Sequence, residues 1–228
     1  MRNVQRGNIL FLILLAVVLF AALTYAVTGS QKGQVKDVSS EKADTLAATI
    51  LQTGSLTENA INRLKLVNGC ADTQISFDSP TVSGYYYAAS PADKHCYVYD
   101  PAGAGLSFPQ PPPELGNVQY WFNGRTKWLK AGAAAGASLV MALPINSAAL
   151  CAAINKALGN PATLAVDWID STKFKGGYSP NNGFPDDGGN MTGYELKTIG
   201  CLQTYTGNQT YYDQVGAPYF YYHVLILR

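Results

Sequence analysis

Residues 6–27 read RGNILFLILLAVVLFAALTYAV, and the reading of this stretch decides the fold. Arg2 and Arg6 precede Gly7. An uncharged apolar run from Ile9 to Val27 follows, with no small-residue cleavage site behind it. A helix needs roughly 20 residues to cross a bilayer core, whereas the apolar region of a secretory signal is commonly about 7–15 residues long. A basic flank stays in the cytoplasm. The stretch is therefore expected to be a transmembrane helix over 8–28, with a cytoplasmic N-terminus and everything after Thr28 outside.

Working outward, the chain has 228 residues, enough beyond the anchor for one good-sized core or two small ones. Lys and Arg number 16 against 15 Asp and Glu, scattered without a basic stripe, which argues against nucleic acid as a partner. Cys70, Cys96, Cys151 and Cys201 all lie on the exported side. An even count in an oxidising compartment points to two disulfides. Three pairings exist in principle, and sequence neighbours are expected, Cys70 with Cys96 and Cys151 with Cys201. Loops of that size are worth on the order of 3–4 kcal/mol. No C-x-x-C hook is present and only two histidines exist, so a cysteine metal site is disfavoured.

After a polar, flexible stretch at 29–33, a second helical pattern starts at Ser39 or Ser40. Its apolar stripe is Ala43, Leu46, Ala47, Ile50 and Leu51, then Leu56, Ala60, Ile61, Leu64 and Val67, with a polar back. Gly54 interrupts it at a cost of about 1 kcal/mol relative to Ala, and Asn68-Gly69 stops it. Short β-like pieces follow at 74–77, 83–88, 96–99 and 118–122. Pro109 to Pro113 is a stiff connector. The Ala/Gly-rich 130–138 reads as a linker before a strand at 139–144, and Asn146 caps a helix over 147–158. Strands are expected at 164–169, 194–204 and 218–227, with a loop at 175–190. The fold class is thus α+β: a long N-terminal helix, half transmembrane and half amphipathic, packed on a small antiparallel sheet with one further short helix. The segments are a leader at 1–7, the transmembrane helix at 8–28, a linker and amphipathic helix at 29–69, and a disulfide-bonded periplasmic head at 70–228.

A basic residue, a glycine, an uninterrupted apolar helix with an amphipathic continuation, and a disulfide-bearing β-rich head together resemble the type IV pilin superfamily. The resemblance is strongest to minor pilins and pseudopilins whose N-terminus reads Q-R-G followed by aliphatics. The matching residues here are Gln5-Arg6-Gly7-Asn8-Ile9-Leu10-Phe11-Leu12. The resemblance implies a pilin-like fold and cleavage by a prepilin peptidase between Gly7 and Asn8, with methylation of the new N-terminus. It implies a home in the bacterial inner membrane before assembly, and other pilin or pseudopilin subunits as partners through the helix. Major pilins begin their mature chain with Phe or Met and carry a Glu a few residues on. This chain has Asn8 and Leu12 at those places, which counts against a major subunit. It leaves open a tip or initiating subunit, and equally an unprocessed membrane protein.

No enzymatic motif stands in a credible setting, so no catalysis is expected. His95 and His223 are lone histidines that suit packed or surface roles. Asp186, Asp187 and Asn190 offer hard oxygen ligands among glycines, as a calcium loop does; their spacing is not that of an EF-hand and suits a solvated turn better. Tyrosines cluster at Tyr85, Tyr86, Tyr87, Tyr97, Tyr99, Tyr211, Tyr212, Tyr219, Tyr221 and Tyr222. An exposed strip of them is the basis of an alternative function, a single-pass membrane-anchored binding module with a tyrosine-rich ligand face; packing in the head is the other use of these rings.

Overall fold

A computed structural model of the chain describes residues 7–82, 84–85, 87, 90–127, 137–161, 166–167, 197–204 and 218–227. Two units, Met1–Lys42 and Ala43–Arg228, divide the chain. The first holds the start of helix α1, Gly7–Val67, where Ile13, Leu14, Leu15, Val17 and Val18 are exposed. The second holds the rest of α1 and a head built of β1 (Trp121–Lys127), β2 (Ala137–Ile145), α2 (Ala148–Ala157), β3 (Val166–Asp167), β4 (Ile199–Thr204) and β5 (Tyr219–Ile226).

The transmembrane half of the expected fold, and with it the single-pass placement in the inner membrane with a periplasmic head, is overturned. Among the described residues no helix is long and apolar enough to cross a membrane. From residue 40 onward α1 carries Glu41, Lys42, Asp44, Glu58, Arg63 and Lys65, charges that hydrocarbon does not accommodate. The break expected at 29–33 is also absent, because α1 runs through it.

In the second unit the buried face of α1 is Ala43, Ala47, Ile50, Gly54, Thr57, Ile61 and Leu64, with Ala60 beside it. Steps of four and three residues alternate along this set, so it forms one narrow seam. Leu56 and Val67, expected on the same face, point to solvent. Leu64 ends the seam, its carbonyl accepting from the backbone N–H groups of Asn68 and Cys70 at 3.1 and 3.2 Å.

The sheet order is β1-β2-β5-β4-β3, antiparallel except for the parallel pair of β3 with β4. Alternation along the strands gives two faces. Leu139, Met141, Leu143 and Ile145 of β2 and Tyr221 of β5 share one core with α1, whereas Val140, Ala142, Leu202, Phe220, Tyr222 and Val224 form a second cluster with Trp121. Pro144 lacks an N–H but does no harm, since β1 pairs with β2 only from Ala137 to Ala142 and leaves that edge free.

Two of the expected strands, 74–77 and 96–99, are not ladders. They meet in one isolated bridge between Ser76 and Tyr97, and the segment otherwise proceeds by turns. Their β-like composition reflects burial instead. Phe122 of β1 stacks on Phe77 at 4.1 Å between centroids and is ringed by Tyr85, Tyr99 and Phe108 at 5.7, 5.7 and 5.8 Å. At the expected strand over 83–88 the described residues 84, 85 and 87 form no strand, and the expected linker at 130–138 lies largely outside the described residues.

Helix α2 is capped by Ser147, whose hydroxyl accepts from the Leu150 N–H at 3.3 Å, rather than by Asn146. It is fastened to β4 twice. A disulfide joins Cys151 to Cys201. Buried Asn155 donates to the Cys201 carbonyl at 2.8 Å and accepts from the Cys201 N–H at 2.9 Å, imitating a strand neighbour. The other disulfide, Cys70–Cys96, ties down the chain just past α1, helped by Asn68 donating to the His95 carbonyl at 2.7 Å. Non-reducing peptide mapping is expected to recover these two linkages. Replacing both cysteines of a pair with alanine is expected to lower stability in urea unfolding by about 3.5 kcal/mol for Cys70–Cys96 and about 4 kcal/mol for Cys151–Cys201, following their separations of 26 and 50 residues.

Candidate functional site

Midway along the seam of α1, apolar residues give way to Gly54 and Thr57, with Thr53 and Glu58 beside them. A β-carbon added at Gly54 would stand 2.2 Å from the Tyr221 hydroxyl and 2.4 Å from His223 Nδ1. No side chain fits there, so glycine is required for the helix to approach β5 this closely. The threonines form a ladder: Thr49, Thr53 and Thr57 each donate a hydroxyl to the carbonyl four residues back, at 2.9–3.0 Å. That arrangement satisfies their hydroxyls within the helix.

His223 is 1% exposed, yet both its ring nitrogens are engaged. Nε2 lies 3.1 Å from Glu58 Oε2 and Nδ1 lies 3.1 Å from the Tyr221 hydroxyl. A carboxylate only accepts, so Nε2 carries the proton; Nδ1 of the neutral ring then accepts from the Tyr221 O–H. The chain of donors runs Tyr221 to His223 to Glu58 and crosses from sheet to helix. Burial pushes the His223 ring below its ordinary value, and Glu58 pulls it the other way. Burial also raises the surrounding phenols. Tyr120 is pushed up to about 12 against the opposing effect of Thr53. Tyr99 and Tyr221 rise as well, Tyr99 against Thr57. These tyrosines are neutral hydroxyls at any working pH.

The cluster was not evident from an apolar stripe, because Gly54 and Thr57 are not apolar. The available signal was the spacing: 43, 47, 50, 61 and 64 leave two gaps that 54 and 57 fill. His223, read as a lone packed histidine, is packed and also bonded.

Other expected site residues fall elsewhere. Gly7 opens α1 and Asn8 follows it. Asp186, Asp187 and Asn190, the candidate calcium ligands, lie outside the described residues, as do Tyr86, Tyr211 and Tyr212. Cys70, His95 and Cys96 lie close enough together to suggest a metal site, but both sulfurs are held in the disulfide and supply no thiolate. Of the clustered tyrosines, Tyr85, Tyr97, Tyr99, Tyr221 and Tyr222 are buried, which is the packing use of these rings. Both sheet faces are covered, so alternation along β5 sends its rings into two cores instead of one core and solvent.

No family model matches the chain, and neither does a curated protein or a solved structure.

The Tyr–His–Glu chain has the members of a proton relay, but His223 is sealed between helix and sheet. Its geometry suits fastening two elements and responding to protons. Gly54→Ala is expected to cost about 1–3 kcal/mol or more by overpacking, seen as a lower urea midpoint. Gly69→Ala, in open space with φ +70°, is expected to cost about 1 kcal/mol through backbone conformation alone.

Proposed function

We propose that this chain is a structural subunit resembling minor pilins and pseudopilins, which takes its place in a bacterial type IV pilus or type II secretion apparatus through the start of α1 and performs no chemistry of its own. The observation that carries this reading is the two uses made of α1. Over 43–64 its seam is committed to the sheet of its own head. Ile13, Leu14, Leu15, Val17 and Val18 are between 47% and 62% exposed, and with exposed Ala16 among them they present an apolar surface on every side of the helix. A helix apolar on all sides is built to be buried, and an exposed apolar surface of this kind marks an interaction site. Neighbouring subunits presenting the same helix supply a matching surface. The two disulfides support service in an oxidising setting.

The motif around Gly7 adds a processing step. Cleavage between Gly7 and Asn8 would leave α1 beginning at the new N-terminus, with Leu12 in place of the acidic residue of shaft-building subunits. The role that fits is a minor subunit at a tip or initiating position.

Intact-mass analysis of the protein from cells with and without an active prepilin peptidase tests this. The expected result is a chain starting at methylated Asn8 only where the peptidase is active. A chain still starting at Met1 in those cells overturns the proposal.

A further inference from the structure

We propose that Glu58, His223 and Tyr221 form an acid-sensitive latch, which holds α1 on the sheet and lets it go when His223 takes up a second ring proton. This goes beyond the subunit reading and stands without it, since it concerns only how helix and head are joined.

Geometry carries the argument. In the neutral ring each nitrogen has a matched partner: Nε2–H faces a carboxylate and Nδ1 faces a hydroxyl that donates to it. A second proton at Nδ1 turns an acceptor into a donor. The Tyr221 O–H must then rotate away, and the wall it meets is the backbone at Gly54, where even a methyl group has no room. The Tyr221 oxygen can accept from the new Nδ1–H, but its own hydrogen then has no acceptor on the ring, and a cation is left 1% exposed, a costly arrangement.

The groups facing His223 are few. From α1 comes Glu58, whose side chain is 41% exposed. From β5 comes Tyr221, with Tyr120 acting on it from the segment before β1. The register partners of His223 are Met141 on β2 and Ile199 on β4, neither of which ionises. Glu58 is thus the one charge described as favouring the imidazolium, and water screens it. Burial outweighs it, and the ring sits below its ordinary value.

The sign follows. The unfolded or released chain protonates its histidine near the ordinary value of about 6.5, while the latched ring resists. Stability of the latched state is therefore complete above that pH and is lost as pH falls toward the lowered value. Within that window the equilibrium constant for opening rises by up to about tenfold per pH unit. Release would be local, because Cys70 at the end of α1 remains bonded to Cys96.

Amide hydrogen exchange on the full chain, corrected for intrinsic rates, is the test. Protection over 50–61 is expected to fall about tenfold between pH 7 and pH 5, while the Asn155–Cys201 contact keeps its protection. Glu58→Gln should leave the onset near 6.5 but deepen the loss and extend it to lower pH, since it removes the group that favours the imidazolium in the latched state. His223→Gln should flatten the profile. Should that variant fail to fold, an NMR titration of the remaining imidazole in His95→Gln reads His223 directly, and it should titrate below about 6.5. A ring titrating at or above that value, protection over 50–61 that ignores pH, or a pH-dependent loss that is shallower in Glu58→Gln than in the parent each overturns the latch.

Discussion

The close approach of α1 to β5 at Gly54 is the contact on which the rest of the head depends. Two layers of secondary structure form a domain only when each buries its apolar side against the other, and here the distance between them is set by a missing side chain. With Gly54 at the crossing, the Tyr221 hydroxyl and the His223 ring come up against the helix backbone. The apolar seam residues on either side, Ala47 and Ile50 before it and Ile61 and Leu64 after it, are held in the core at the same time. A larger residue would part the layers and loosen both apolar segments together.

A polar patch in the middle of a core is expensive unless every group has a partner. Several groups of the patch meet that requirement with local devices. Thr53 and Thr57 return their hydroxyls to their own helix, and His223 passes hydrogen bonds from sheet to helix. Asn155 repeats the device at the other helix, where it supplies both a donor and an acceptor to Cys201 and so closes the flank of β4 beside a disulfide. Each helix of the head is thus fixed by an apolar face, a buried polar contact to a strand or its carbonyls, and a covalent tie next to or within it.

Much of this pattern was readable from local chemistry. The stripe through Ala43, Ala47, Ile50, Ile61 and Leu64 announced a helix lying on a head, Asn146 announced the start of α2 to within one residue, and the aromatic run at the end announced a buried strand. The failures share one cause, which is that composition reports burial without saying what supplies it. Leu56 and Val67 fit an apolar stripe but miss the seam by a fraction of a turn. Phe77 and Tyr99 suggested strands because they are buried aromatics, yet they gather round Phe122 from turns. The apolar run at the start of the chain matched the length of a membrane span, yet among the described residues no helix meets that requirement.

By itself the sequence determined the local matters: that α2 lies just after residues 146–147, which residues are apolar at helical spacing, and that the four cysteines form disulfides. These depend on a residue and those within a turn or two of it, or on the number of cysteines in an oxidising compartment. The tertiary structure decided which side of α1 faces the sheet, that Gly54 and Thr57 belong to the seam, and that His223 meets Glu58 from a residue 165 positions away. The physical reason is that spacing along the chain carries no record of distance across it. A lone glycine, a threonine and a histidine become a site only when two layers are brought close enough for their polar atoms to touch.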